Sequence, residues 1–230
     1  MTPHTSEDAP GPAALPGVFE HCDRWCDYCT VTSQCPACRR PGDPDARRGP
    51  DAFRRLDDLV EFARDIAAEE GRMSPDLRAL RSSDPAVPAS VSSVDDPLDD
   101  LAWRYTFEAA RFLEHRHWLP PVCPSPQPSP LDVVAWYHVL INMRLGRALA
   151  SAIQARRGMA DRAMDANGCA KMVLVAIDRS HASLRRLRGW RDDARVVMLL
   201  ETLEQLSRGV EGRFPSARGF IRPGLDGPVA

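Results

Sequence analysis

Five of the chain's seven cysteines fall within the 17 residues from Cys22 to Cys38, in the run HCDRWCDYCTVTSQCPAC that spans residues 21–38. Thiols packed that closely either form disulfides, exchange electrons or bind a soft metal, and the compartment decides among these. The first 20 residues contain no basic start, no apolar run of signal-peptide length and no small-residue cleavage context, which points to a cytoplasmic address. In that reducing environment, and with an odd total, the clustered thiols are expected to be ligands rather than a disulfide framework.

Two tetrads can be drawn from the five thiols. Cys26, Cys29, Cys35 and Cys38 form two CxxC pairs separated by five residues, the arrangement that would hold Zn2+ in a tetrahedral site of four cysteines. Cys22, Cys26, Cys29 and Cys35 instead have the close, irregular spacing that suits a [4Fe–4S] cluster. The fragment CDRWCDYC resembles the CxxxCxxC motif of radical S-adenosylmethionine enzymes, down to the aromatic residue before its last cysteine. That resemblance implies a cluster in a loop after the first strand of a β/α barrel. Here no strand pattern precedes Cys22 and no βα alternation follows, and Cys35 would supply the fourth ligand those enzymes leave to the cosubstrate. The likeness is therefore confined to eight residues. His21 is expected to neighbour the metal rather than replace a thiol. Cys123, among prolines, and Cys169, on an apolar helix, are expected to be packing residues.

The elements that must carry this loop read as all-α. Residues 1–17 have the composition of a disordered lead-in, and residues 18–40 are the Cys-rich metal-binding segment. A first amphipathic helix runs from Asp51, which caps it, to Gly71, and residues 72–95 read as a loop. A second opens with Asp96 and Pro97 and buries Leu98, Leu101, Ala102, Tyr105, Ala109, Phe112 and Leu113. Six prolines between Trp118 and Pro130 predict an extended strap that wraps the bundle. A third helix, about Leu131 to Gln154, is apolar almost all round and hence central. A fourth follows over about Met159 to Leu187, with Gly146, Ala148, Gly168 and Ala170 allowing these two to approach closely. A fifth occupies about Asp192 to Glu211. Residues 213–230 form a docking tail anchored by Phe214, Phe220 and Ile221. The expected architecture is an antiparallel bundle of about five helices over 51–212, capped at one end by the cysteine loop.

Other chemistry-bearing residues are sparser. Glu114 with His117 and Asp178 with His181 imitate the Glu-x-x-His pairs of di-iron bundles, but turning about 100° per residue places Glu114 opposite the core stripe. Arg144 falls on the apolar side of the third helix and would need a buried carboxylate, with Asp178 or Glu108 as candidates. A ligand pocket is expected around Glu108, His138, Arg144 and Asp178. Asn167, Lys171, Asp178 and Arg185 line the polar side of the fourth helix.

The formal net charge of −2 gives no reason to expect whole-chain attraction to nucleic acid or an anionic membrane. Residues 1–143 carry 14 Arg against 23 acids, a net of −9, while 144–230 carry 15 Arg and Lys171 against 9 acids, a net of +7. Arginines from Arg179 to Arg195 crowd one helix turn, where a solvated surface is the plainer reading. The longest apolar run, Met172 to Ile177, is far short of the roughly 20 residues of a membrane span. The function these features predict is a cytosolic metal-binding accessory or regulatory protein, with zinc or an iron–sulfur centre and a protein partner. The rivals are an iron-dependent redox enzyme that uses the cluster as an electron relay, and a sensor that binds DNA through the Arg-rich turn.

Overall fold

A computed structural model describes residues 14–15, 17–18, 20–35, 96–114, 127–189 and 193–226. The helix expected over Asp51–Gly71, the loop 72–95, most of the proline strap, Cys38, His117, Cys123 and the lead-in before residue 14 lie outside the described residues. The four α-helices in the described residues are α1 (Pro97–Glu114), α2 (Pro130–Arg156), α3 (Asp161–Arg188) and α4 (Ala194–Arg213), with no strand among them. The chain is thus all-α, and the β/α barrel implied by the eight-residue resemblance has no counterpart in these elements.

Helices begin where side chains take up backbone donors that no earlier turn can satisfy. At α1 the Asp96 carboxylate accepts from the Leu98 amide at 3.0 Å. At α4 Asp193, one residue after the expected start of the helix, accepts from the Arg195 amide at 2.9 Å. The start of α2 is the most complete. Ser129 accepts from the Asp132 amide at 3.2 Å while Asp132 accepts from the Ser129 amide at 3.1 Å, a reciprocal capping box with Pro130 at the first helical position. The last proline of the expected strap is therefore part of a helix start. Replacing Ser129 with alanine is expected to lower stability by about 1 kcal/mol, read from the midpoint of urea unfolding.

The helices pack as a closed ring in which α1 meets α2, α2 meets α3, α3 meets α4 and α4 meets α1. Pairs across α2 and α3 run in opposite directions along the chain, with Ser151 and Arg147 at Asp165 and Tyr137 at Arg179, so these two are antiparallel. The end of α4 meets the start of α1 through Arg213 and Asp96 at 3.7 Å, so that pair is antiparallel too. Links of a few residues, 157–160 and 189–193, leave no other arrangement for α2, α3 and α4. No described helix is long and apolar enough to cross a membrane.

The core is built from α1 Tyr105 and Phe112, α2 Ile141, Leu145 and Leu149, α3 Met172, Leu174 and Leu184, and α4 Leu199 and Leu203, all essentially inaccessible to solvent. The broad apolar surface of α2 is buried as its pattern predicts, from Leu131 to Leu149. Close approach is not made at Gly146, where a Cβ would meet nothing within 4 Å. It is made at Gly209 of α4, whose place a Cβ could take only 2.5 Å from the Leu98 side chain of α1.

After α4, Phe214 and Ala217 are buried and Arg218 reaches back to Asp178 of α3 and to Glu211 at 2.8 Å, while Lys171 donates to the Arg218 carbonyl at 2.8 Å. Lys171 and Asp178, on the polar side of α3, thus hold the tail. Ile221, expected to be an anchor, is 70% exposed. The chain divides there. Arg47–Phe220 is one unit, and Met1–Ala46 with Ile221–Ala230 is the other, so both ends of the chain belong to the unit that contains the cysteine cluster.

Candidate metal centre

Two tight 3₁₀ turns, Cys26–Tyr28 and Thr32–Gln34, shape the cysteine loop. The first begins on a cysteine and closes on another, the Cys29 amide donating to the Cys26 carbonyl at 3.1 Å; the second closes on Cys35, whose amide donates to the Thr32 carbonyl at 3.3 Å. Before them Arg24 takes the left-handed backbone (φ 59°) and the Asp23 carboxylate accepts from the Trp25 amide at 3.2 Å.

Cys22, Cys26, Cys29 and Cys35 line one cavity of about 20 Å³, with Val18, Val31 and Trp25 as apolar walls. All four carry thiols rather than disulfide sulfurs. Among the described residues, no three of these sulfurs lie within 4.8 Å of one another. A tetrahedral zinc site with Zn–S near ~2.3 Å brings its thiolates to ~3.8 Å from each other and leaves no room for a water-sized void between them. An iron–sulfur cubane places an iron inside each thiolate and a cage of sulfides between the irons, so its thiolates stand further apart.

The walls are fixed from both ends of the chain. Val18 and Trp25 are buried, and Trp25 packs edge-on against Tyr28 with ring centroids 4.9 Å apart. Leu225 from the C-terminal segment completes the cavity lining. That segment is held by buried Arg222, which donates to the Asp226 carboxylate at 2.9 and 2.6 Å, and by Gly224, whose φ of 70° and closeness to Leu15 and Val18 leave no comfortable place for a Cβ. Nothing in the composition of GFIRPGLDG marks it as part of a cysteine site; the Arg222-to-Asp226 spacing was the only signal that could have found it. His21 is buried but does not line the cavity. Cys38, the fifth thiol, is outside the described residues.

The pocket expected in the helical unit is not assembled. Glu108 is engaged by Arg111 of its own helix at 3.2 Å, and Asp178 is taken by Arg218 at the surface. Arg144 is buried, but beside the Cys169 thiol rather than beside either of those acids. Among the described residues Asp165 is a carboxylate in that neighbourhood, and it accepts from Arg147 at 2.7 Å and from Ser151 at 2.6 Å. Sequence reasoning overlooked Asp165 because it lies near the start of α3, more than a turn before the apolar stretch begins. Burial, and then Asp165, push the Cys169 thiol up, with Arg144 and Arg147 opposing. Of the pairs that imitate a di-iron motif, His181 faces Glu204 at 3.5 Å and Asp178 meets Arg218, while Glu114 is exposed and His117 lies outside the described residues.

His138 is fully buried on α2, its Nδ1–H donating to the Ala135 carbonyl at 2.8 Å, and burial holds its imidazole down to about 4. Its neutral form is thus favoured by folding. The linked stability is complete above the ordinary histidine value of about 6.5 and is lost as pH falls toward 4, by up to about 3 kcal/mol. Urea unfolding from pH 7 to 4 is expected to show that loss in the native chain and a flatter profile in His138→Gln; parallel profiles would show that another group carries the acid sensitivity.

The fold and site together define a four-helix antiparallel bundle, among the described residues, whose chain also carries a four-thiol cavity built from both terminal segments. Comparison with protein-family models, curated proteins and solved structures finds no match to this chain.

Proposed function

We propose that the chain is a cytosolic iron–sulfur protein of accessory or regulatory kind, with a [4Fe–4S] cluster held by Cys22, Cys26, Cys29 and Cys35. One observation carries this reading: Cys22, which belongs only to the tetrad spaced for an iron–sulfur cluster, lines a single cavity with Cys26, Cys29 and Cys35. A bound cluster would supply one-electron chemistry or sensitivity to oxidants. Four protein thiolates would occupy one position on each iron, leaving none open for a substrate. The apolar walls from Val18, Val31, Trp25 and Leu225 would limit water around the sulfurs, a lever on reduction potential.

A regulatory role is favoured over a relay enzyme because, among the described residues, the acids expected to form a reaction pocket are committed to surface ion pairs with Arg111 and Arg218. The helical unit would then serve a protein partner. Anaerobic purification tests the centre. A brown protein whose broad visible absorption bleaches on reduction by dithionite, with the appearance of an electron paramagnetic resonance signal, is the expected result. A colourless protein retaining one zinc per chain would overturn the iron–sulfur assignment and return the site to the paired CxxC arrangement.

A further inference from the structure

The core of the bundle is interrupted by one polar layer. Tyr105 and Thr106 of α1, His138 of α2 and Ser180 of α3 are all essentially inaccessible to solvent, and Asn142 of α2, one turn from His138, is 8% exposed. Cross-helix contacts put Thr106, His138, Tyr105 and Ser180 at one level: the Thr106 hydroxyl lies 2.9 Å from the His138 carbonyl, and the Tyr105 hydroxyl faces the Ser180 side chain. Arg179 on α3 meets Tyr137 on α2 at the same level.

Four side-chain atoms in this layer are buried and have no hydrogen-bond partner in the protein: Tyr105 Oη, His138 Nε2, Asn142 Nδ2 and Ser180 Oγ. Leaving even one such atom unsatisfied costs about 1–3 kcal/mol, so four in one layer of an otherwise apolar core are a heavy burden if nothing else is there. Their chemistry is complementary. Because His138 Nδ1–H is committed to the Ala135 carbonyl, Nε2 can only accept; Asn142 Nδ2 can only donate; the two hydroxyls can do either. No carboxylate, lysine or arginine is among the four, and burial keeps both titratable members, His138 and Tyr105, uncharged near neutral pH.

We propose that this layer between α1, α2 and α3 is an internal binding site for one or two water molecules, a neutral guest that donates to His138 Nε2 and accepts from Asn142 while the Tyr105 and Ser180 hydroxyls complete its shell. Water has the needed two donors and two acceptors, and sites of this kind hold water with about three bonds each. The guest ties three helices together at mid-bundle, where an apolar layer would give no directional preference.

A crystal structure of the full chain that orders internal solvent reads this directly. Expected are one or two isolated density peaks within roughly 3.2 Å of His138 Nε2 and of at least one of the two hydroxyls. A dry layer, or density too large for water, would overturn the assignment. In solution, long-lived water cross-peaks to the His138 ring in nuclear Overhauser spectra should be present in the native chain and lost in Tyr105→Phe/Ser180→Ala. Their persistence in that variant would place the water elsewhere and overturn the site. Should the variant not fold, the native crystal alone decides.

Discussion

Cys22→Ser is expected to abolish cluster binding, with iron and sulfide falling to background, whereas Cys38→Ser is expected to leave both at the native level. The two substitutions are the sharpest available contrast because each thiol belongs to only one tetrad. Cys22 lines the cavity together with Cys26, Cys29 and Cys35. If the centre were instead the paired CxxC site, the outcomes would exchange: Cys38→Ser would release the metal and Cys22→Ser would not. The cysteine unit has few apolar anchors, chiefly Val18, Trp25 and Val31. Losing the centre should therefore also loosen the loop, since binding free energy at such sites doubles as folding free energy. Amide hydrogen exchange across residues 20–35 measures that second effect, and it should follow the metal content of each variant.

Leu174→Ala is expected to cost about 2–5 kcal/mol, a large share of the roughly 5–15 kcal/mol that separates a folded domain from its unfolded state. Leu174 is inaccessible to solvent in the middle of α3, and it is flanked by Met172, Val173 and Ala176, which are also fully buried. Close packing on every side prevents the surroundings from collapsing into the space of the deleted carbons, which puts the cost above the transfer free energy alone. The denaturant midpoint should fall with little change in slope. A loss below ~1 kcal/mol would mean that the helical unit is more loosely packed than its burial pattern shows.

The helices were legible because their signals are local. Asp96 and Pro97, the apolar all-round surface of α2 and the run from Cys169 to Ile177 each predict their element within a few residues of its observed bounds. The distribution of charge partners was not legible, since it depends on three-dimensional neighbours. Asp178 looked available to Arg144 on helical spacing, but Arg218, 40 residues away, reaches it first. Arg144 instead lies beside Cys169, one turn beyond Asp165. For the candidate site, spacing alone offered two tetrads. Cys22 lines the cavity with Cys26, Cys29 and Cys35 beside Arg24, where a residue with a side chain adopts a backbone conformation that sequence gives no reason to expect. Leu225 was invisible for a related reason, because only the return of the C-terminal segment to Val18 and Leu15 makes it a wall of the cavity.

Everything functional turns on the nature of the centre proposed for Cys22, Cys26, Cys29 and Cys35. Quantifying iron, acid-labile sulfide and zinc per chain in anaerobically purified full-length protein tests it most directly. A [4Fe–4S] centre predicts iron and sulfide in equal amounts, approaching about four of each per chain, with zinc well below stoichiometric. One zinc per chain with neither iron nor sulfide would contradict it.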